Sequence, residues 1–229
     1  MKTNALVAIP LNLFVTWHTK QLPKFMAQNY QLLQTVNHEF NHFLYDDAEC
    51  RQFITEHFDH DVVLAFDNLI PGAYKADLWR CCILYVKGGV YIDIKFKCVN
   101  NFKLIELTDK EYLVRDRYEY GIYNALMVCK PGNSVLLSAI KQIVRNTQTK
   151  FYGVNALHPT GPYLFKQFID KQTIDRLELY YDDLNDTITF IVFDDTIVLA
   201  HYPEYRTEQQ MFQKTLTYTE LWNKRKIYR

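Results

Sequence analysis

The segment from residue 72 to residue 96, GAYKADLWRCCILYVKGGVYIDIKF, constrains the fold of this chain more than any other. The helical spacing of its apolar residues predicts a helix from Tyr74 to Val86, which the pair Gly88-Gly89 ends. The alternating run from Val90 to Phe96 then predicts a buried strand. Because glycine permits a tight reversal, we expect the helix and the strand to pack against each other as one α/β unit.

Apolar runs with strand character alternate with helical patterns along the rest of the chain. No linker rich in serine or glycine divides them, so we expect one domain covering residues 1–229. Strands interleaved with helices favour an α/β fold with a mostly parallel central sheet, flanked by helices, and a small antiparallel accessory sheet. The other predicted elements are strands at 6–9, 13–17, 39–45, 112–114 and 122–129, helices at 23–36 and 134–147, a helix capped by Asp46 and Glu49, and a hairpin of 187–193 with 196–201.

The charge balance excludes some classes of partner. Lysine plus arginine equals aspartate plus glutamate at 26 each, so no net field favours nucleic acid or an anionic membrane. The five cysteines are odd in number and form no CxxC pair, which is typical of reduced thiols inside the cell. The apolar stretch near the N-terminus is interrupted by Pro10 and Asn12 and is too short to span a bilayer. We therefore expect a soluble, cytoplasmic protein without a membrane span.

Charged residues in the segment 72–96 are the candidates for chemistry. Asp77 and Arg80 are three residues apart on the predicted helix, so they share a face, which we expect to be its polar face. On the predicted strand, Tyr91, Asp93 and Lys95 point to one side. A carboxylate within so apolar a strand is costly unless a cation, a metal ion or hydrogen-bond donors pair with it. Asp93 is therefore a functional candidate, and an ordinary surface ion pair is the alternative for Asp77 and Arg80.

The same segment resembles the core motif of the mannosyltransferase-type glycosyltransferases related to the yeast initiating α-1,6-mannosyltransferase. More distantly, it is similar to the glucosylating domains of large clostridial toxins. This resemblance implies a GT-A fold, a nucleotide-diphosphate sugar donor linked to UDP or GDP, a glycan or other hydroxyl acceptor, retention of anomeric configuration, and Mn²⁺ or Mg²⁺ as cofactor. The similarity runs from about Ile9 to Pro162, includes Ile9-Pro10, Thr16-Trp17 and Leu22-Pro23, and has weaker echoes near His201 and Trp222.

The resemblance also implies roles for individual residues. Trp17 would stack on the donor base, Asp77 and Arg80 would hold donor-sugar hydroxyls, and Tyr91 with Asp93 would open the metal-binding Asp-x-Asp motif. Nucleotide-sugar binding would involve mainly residues 5–100, and the acceptor side would lie in residues 101–229. The residues that resemble later landmarks of the family, on the acceptor side, are Tyr123, Asn124, His158, Thr160 and Gly161.

The chain departs from the family pattern at one position. Lys95 stands where the second metal-binding aspartate is expected, giving Asp-Ile-Lys. A protonated ammonium cannot ligate a metal ion, so either Asp93 binds the ion with help from elsewhere, or Lys95 itself neutralises diphosphate charge. We prefer the alternative in which Asp93 binds the metal ion, with His201 as the additional ligand. The other interpretation of His201 is that it is a structural histidine.

Two further functions fit parts of the pattern. Asp-Ile-Lys in an apolar strand is also typical of metal-dependent nucleases, in which the carboxylate binds magnesium and the lysine activates water. Against this hypothesis, the nearest upstream acid, Asp77, lies on a helix and the net charge is zero. A catalytically silent sugar-nucleotide-binding domain is the third hypothesis, because one motif carboxylate is missing.

Overall fold

The computed structural model describes residues 8–117, 121–184, 188–212 and 216–229. The strands are β1 (Asn12–Thr16), β2 (Asn41–Tyr45), β3 (Gly89–Ile92), β4 (Phe96–Cys98), β5 (Tyr112–Arg115), β6 (Ile122–Cys129), β7 (Leu179–Leu184), β8 (Ile188–Phe193) and β9 (Thr196–His201). The helices are α1 (Lys24–Val36), α2 (Asp47–His57), α3 (His60–Asn68), α4 (Gly72–Lys87), α5 (Ser134–Gln148), α6 (Pro162–Phe165), α7 (Lys171–Asp175), α8 (Tyr205–Phe212) and α9 (Tyr218–Asn223).

The nine strands of the described ranges form one sheet in the order β2-β1-β3-β6-β5-β7-β8-β9-β4. β1 pairs in parallel with β2 and β3, and β5 pairs in parallel with β7. The remaining ladders between these strands are antiparallel. The predicted α/β class is confirmed. The sheet is less parallel than expected, and its antiparallel part continues the same sheet, because β6 returns beside β3 and the strands from β7 onward turn back by hairpins.

The two faces of the sheet are covered by different helices. Tyr91 packs with residues of α2 to α5 in one core, whereas Val90, Ile92 and Ile94 pack with residues of α1 in the other core. The alternation predicted for this segment is therefore confirmed. The strand itself ends earlier than predicted, because residues 93–95 form a turn in which the Phe96 N–H donates to the Asp93 carbonyl at 3.0 Å.

Two glycines make the junction of α4 and β3 possible. Gly88 caps the helix with φ of 62°, and Gly89 follows with φ of 125°. A Cβ at Gly89 would lie 2.5 Å from the carbonyl oxygen of Asn12 on β1. The glycine pair therefore ends the helix and lets β3 approach β1, as the sequence indicated.

Several local predictions are confirmed. Asp46 and Glu49 form the capping box of α2, and the β8–β9 hairpin turns through Asp194 and Asp195, both with positive φ. The Thr187 end of that predicted hairpin and residues 6 and 7 of the predicted first strand lie outside the described residues.

The prediction that Asp77 and Arg80 lie on a polar face of α4 is wrong, because these residues are buried and only 7% and 5% exposed. Helix α4 is covered on nearly every side by the sheet and by neighbouring helices.

In the part of the chain that the structure describes, no helix has the length and apolar character needed to cross a bilayer. The five cysteines are free thiols, and four of them are buried.

The buried carboxylate of Glu208 links the N-terminus of α1 to the C-terminal part of the chain through hydrogen bonds. Pro23 offers no capping side chain, and Glu208 on α8 accepts hydrogen bonds from the N–H groups of Phe25 and Met26 at 2.8 and 2.9 Å. The hydroxyl of Tyr202 donates to the same carboxylate at 2.8 Å. Glu208 thus serves as the N-terminal cap of a helix more than 180 residues earlier in the chain.

Glu208→Ala is expected to lower the free energy of unfolding by about 3 kcal/mol, because two helix N–H groups and one hydroxyl lose a charged acceptor. Urea denaturation followed by circular dichroism measures the change. Gln210→Ala, on the exposed side of α8, is the control and should leave the midpoint unchanged. Equal midpoints for the two variants would show that the cap does not stabilise the fold.

Candidate active site

A buried arginine joins two carboxylates at the carboxyl end of β3. Arg80 Nη2 lies 3.3 Å from Asp77 Oδ1, and Arg80 Nη1 lies 3.3 Å from Asp93 Oδ1. The guanidinium also stacks 4.3 Å from the ring centroid of Tyr91, and Nη1 donates to the Asn124 carbonyl at 2.5 Å. The structure therefore brings the helix pair and the strand carboxylate into one cluster, as the sequence predicted.

Asp77 is held by side chains from two other parts of the chain. Asn124 Nδ2 donates to Asp77 Oδ1 at 2.9 Å, and Thr160 Oγ1 donates to Asp77 Oδ2 at 2.7 Å. A Cβ on Gly161 would lie 3.6 Å from the same oxygen. Burial raises the pKa of Asp77, and Arg80, Thr160 and Asn124 act in the opposite direction. In this arrangement Asn124 and Thr160 position Asp77, and their predicted acceptor role stays a prediction.

Asp93 follows directly on β3 and has a partner on each carboxylate oxygen. Tyr91 OH donates to Oδ1 at 2.8 Å, and Lys95 Nζ lies 3.1 Å from Oδ2. Its backbone N–H is fixed by the Ala125 carbonyl at 2.8 Å. Burial acts to raise the pKa of Asp93, but Lys95 and Arg80 outweigh it and hold this pKa below its ordinary value. Asp93 is therefore a carboxylate between two cations.

Tyrosines from four separate elements surround Lys95. Its ammonium lies 5.5 Å from the ring centroid of Tyr123, on which Tyr181 stacks at 4.1 Å. Tyr205 and Tyr218 also lie within electrostatic range of Lys95. Only Tyr123 was expected from the sequence. The other three come from β7, α8 and α9, and no local motif marks them.

Trp17 follows the carboxyl end of β1, the parallel neighbour of β3. Its backbone N–H donates to the Tyr45 carbonyl at 3.1 Å, and its ring lies 4.8 Å from that of His18. The indole Nε1 is buried and has no hydrogen-bond partner among the described residues. Trp17 and Asp93 therefore stand at the same edge of the sheet, the edge at which ligands of such sheets bind.

The two histidines named as candidates from the sequence, His158 and His201, both have structural contacts. His201 Nε2 accepts a hydrogen bond from the Thr189 N–H at 2.7 Å, so its use as a metal ligand requires that bond to be given up. His158 packs against Phe151 and Tyr163 in a groove of about 650 Å³ beside α5. Burial lowers the pKa of His158. His158 thus faces the α5 groove, whereas Thr160, two residues later, faces Asp77; the predicted roles of both histidines stay predictions.

The donor set does not fit a divalent cation. Asp93 carries a cationic partner on each oxygen, and the described residues hold no group of three or more His, Cys, Asp or Glu side chains arranged to bind a metal ion. Unit charges about 4 Å apart interact by about 4 kcal/mol at an effective dielectric constant of about 20. A divalent ion held on Asp93 about 4 Å from the Lys95 ammonium would meet a repulsion of about 8 kcal/mol from it, which offsets part of the attraction of the carboxylate. The charges around Asp93 therefore count against a divalent ion there, and the predicted metal pair of Asp93 with His201 stays a prediction.

A cavity of about 750 Å³ is lined in part by Tyr181. Asp116 lines it with a carboxyl group that is 8% exposed, and burial raises its pKa to about 7. Tyr123 lies within electrostatic range of Asp116, so the cavity adjoins the Lys95 region. The charged residues that share the cavity wall are Arg115, Arg117, Lys166, Asp170, Lys171, Asp175 and Asp182.

Comparisons with known proteins show which family and which fold this chain resembles. Residues 20–114 match the family described as glycosyltransferase sugar-binding region containing DXD motif. Inositol phosphoceramide mannosyltransferase 3 of Schizosaccharomyces pombe is 26% identical over 161 residues, which are 70% of this chain and 44% of that protein. The initiation-specific alpha-1,6-mannosyltransferase of Candida albicans is 31% identical over 91 residues, 37% of this chain and 24% of that protein. The chain thus spans less than half the length of these two curated relatives.

The fold has a solved counterpart. The PaToxG glycosyltransferase superposes with a TM-score of 0.55 at 15% identity, covering 73% of each chain. The predicted GT-A-like α/β fold is confirmed by this similarity. The resemblance to mannosyltransferase-type glycosyltransferases, predicted from residues 72–96, is confirmed by the family match and by the two named relatives.

The raised pKa of Asp116 predicts a pH dependence of stability. Between about pH 4 and pH 7 the folded protein keeps this proton and the unfolded chain does not, so stability falls as pH rises through that window and levels off above it. Asp116→Asn should remove this loss, gaining up to about 4 kcal/mol relative to wild type between pH 4 and pH 8. Urea denaturation at each pH measures the difference. The exposed Asp61→Asn is the control, and parallel curves for wild type and Asp116→Asn would contradict the assignment.

Proposed function

We propose that this chain is a single glycosyltransferase domain that transfers a hexosyl group, with mannosyl as the first candidate, from a nucleotide-diphosphate sugar to a hydroxyl acceptor. The observation that carries the proposal is the contact of Arg80 with both Asp77 and Asp93 at the carboxyl edge of the sheet. The named mannosyltransferase relatives support the reaction class. Retention of anomeric configuration enters the proposal through the family resemblance.

The cluster suits a donor sugar because it offers charged and polar groups in a fixed array. Asp77 accepts from Asn124 and Thr160 and from Arg80, so its oxygens are held in one orientation. A preorganised carboxylate of this kind recognises sugar hydroxyls without the cost of ordering itself on binding. Asp77 with Arg80 would therefore fix the sugar, and Asp93 would lie where the diphosphate meets it.

Trp17 supplies a surface for the base. Its half-buried ring and its buried, unpartnered indole nitrogen stand beside the strand end that carries Asp93. An indole face stacks on either a uracil or a guanine, so this residue supports nucleotide binding without choosing the base.

The acceptor would enter from the cavity next to Tyr181. Tyr181 lines this cavity and stacks on Tyr123, whose ring centroid lies 5.5 Å from the Lys95 ammonium, and aromatic faces of this kind pack against sugar rings. The relatives' names include an inositol phosphoceramide mannosyltransferase and an alpha-1,6-mannosyltransferase. Inositol phosphoceramide and mannosides are accordingly the acceptors to test first.

The metal-dependent nuclease is the weaker alternative. Its Asp-x-Lys element needs a carboxylate open to magnesium, whereas Asp93 here has Arg80 and Lys95 as partners. Titration with UDP- and GDP-sugars, followed by measurement of donor hydrolysis, separates the hypotheses. A glycosyltransferase binds and slowly hydrolyses one donor, a silent binding domain binds it without turnover, and a nuclease ignores all of them.

Affinity for the nucleotide base and affinity for the donor sugar should be lowered by different variants. Trp17→Ala is expected to weaken UDP or GDP binding about tenfold through lost stacking, and Trp17→Phe should recover part of that loss. Asp77→Asn should leave the affinity for the free nucleotide within twofold but reduce the preference for the correct nucleotide sugar by about tenfold. Isothermal titration calorimetry measures both, with unfolding curves as the control for stability. Equal losses for nucleotide and nucleotide sugar in both variants would contradict the division of roles.

The acceptor assignment has its own test. Tyr181→Ala should raise the acceptor KM about tenfold while donor hydrolysis falls by less than about threefold, because Tyr181 lines the cavity whereas Tyr123 is the ring 5.5 Å from the Lys95 ammonium. Tyr181→Phe keeps the stack on Tyr123 and is the matched control. A parallel loss of donor hydrolysis would show that Tyr181 serves the donor side.

A further inference from the structure

Both oxygens of Asp93 already carry a cation or a strong donor. Oδ1 accepts from Tyr91 OH and lies 3.3 Å from Arg80, and Oδ2 lies 3.1 Å from Lys95. In the Asp-x-Asp pattern that the sequence resembles, the position of Lys95 holds a second carboxylate. The ammonium group therefore supplies a positive charge directly beside Asp93, where the Asp-x-Asp pattern would supply a second negative one.

Lys95 is also the cation of this cluster that a ligand reaches most readily. Its side chain is 17% exposed, compared with 6% for Arg80, whose guanidinium is engaged by two carboxylates and two carbonyl groups. An ammonium group carries three N–H donors; the contact with Asp93 uses one and the hydrogen bond to Tyr123 uses another, which leaves one for a ligand. Tyr205 also lies within electrostatic range of the ammonium.

We propose that this protein binds the diphosphate of its donor without a divalent cation, with the Lys95 ammonium as the group that neutralises the phosphate charge. The inference rests on the proposed glycosyltransferase function and concerns the same site. Asp93 then orients Lys95 toward the ligand and does not ligate a metal ion. Arg80 stays behind Asp93 and holds it in place.

The proposed role of Lys95 extends to the transfer step. The bond between the anomeric carbon and the β-phosphate oxygen breaks, and its electron pair remains on that oxygen, next to the ammonium. The acceptor oxygen forms the new bond to the anomeric carbon, and the acceptor proton passes to the released diphosphate. The negative charge that grows on the leaving group is met by a fixed positive charge, which is the condition for electrostatic catalysis.

Calorimetric titration with UDP and with GDP, each in EDTA and in Mn²⁺, tests the metal requirement. The nucleotide that binds is expected to have the same Kd in both conditions, within twofold. Mn²⁺ electron paramagnetic resonance on the protein alone gives a second measurement, in which the wild-type protein should leave the free-ion signal unchanged. Binding only in Mn²⁺, or loss of the free-ion signal, would overturn the inference but leave the proposed function standing. No binding of either nucleotide in either condition would overturn the proposed function itself.

Variants of Lys95 test the residue directly. Lys95→Ala should weaken nucleoside diphosphate binding in EDTA by 10- to 100-fold and leave uridine or guanosine binding within twofold, and Lys95→Arg should restore most of the loss. Lys95→Asp recreates two carboxylates and should make binding at least tenfold tighter in Mn²⁺ than in EDTA. Lys87→Ala, at the exposed far end of α4, is the control and should match wild type. Unchanged diphosphate affinity in a folded Lys95→Ala protein, or metal-insensitive binding by Lys95→Asp, would refute the assignment.

Discussion

The burial of Arg80 between Asp77 and Asp93 is the interaction on which the rest of the site depends. A guanidinium that is almost fully buried is tolerated only when each N–H group has a partner, and here two carboxylates, two backbone carbonyls and the face of Tyr91 supply them. Removing one partner would leave a buried charge uncompensated. The cluster therefore fixes the relative positions of α4, β3 and β6, and the fold and the site share the same contacts.

The sheet order explains why these groups meet. β3 lies between its parallel neighbour β1 and its antiparallel neighbour β6, so the carboxyl ends of β1 and β3 and the start of β6 reach one edge. Trp17, Asp93 and Asn124 come from those three strands. Helix α4 is connected to β3 by Gly88 and Gly89 and packs against the sheet. It places Asp77 and Arg80 at the same edge. The chemistry is concentrated where the direction of pairing changes, as expected for ligand sites of α/β sheets.

The balance of charge distinguishes this site from a carboxylate pair that holds a metal ion. Two carboxylates and two cations form a chain of ion pairs from Asp77 through Arg80 and Asp93 to Lys95, and the tyrosines near Lys95 add no charge. A cluster of this kind, with a partly exposed ammonium, accommodates an anionic ligand more readily than it accommodates a further cation. In the proposed metal-free binding mode, the replacement of one acid by Lys95 favours an anionic ligand over a divalent cation.

The sequence by itself determined the helix, glycine pair and strand of residues 72–96, the alternation of Tyr91 and Asp93 against Val90 and Ile92, and the capping box of α2. These features depend on residues that are close together in the sequence, so the local spacing of residue types is sufficient to predict them. Only the tertiary structure decided that α4 is buried, that Asn124 and Thr160 hold Asp77, and that Tyr181, Tyr205 and Tyr218 border the Lys95 region. Those contacts join residues from about 50 to more than 100 positions apart, and a pattern of apolar spacing carries no information about which distant side chain satisfies a buried charge.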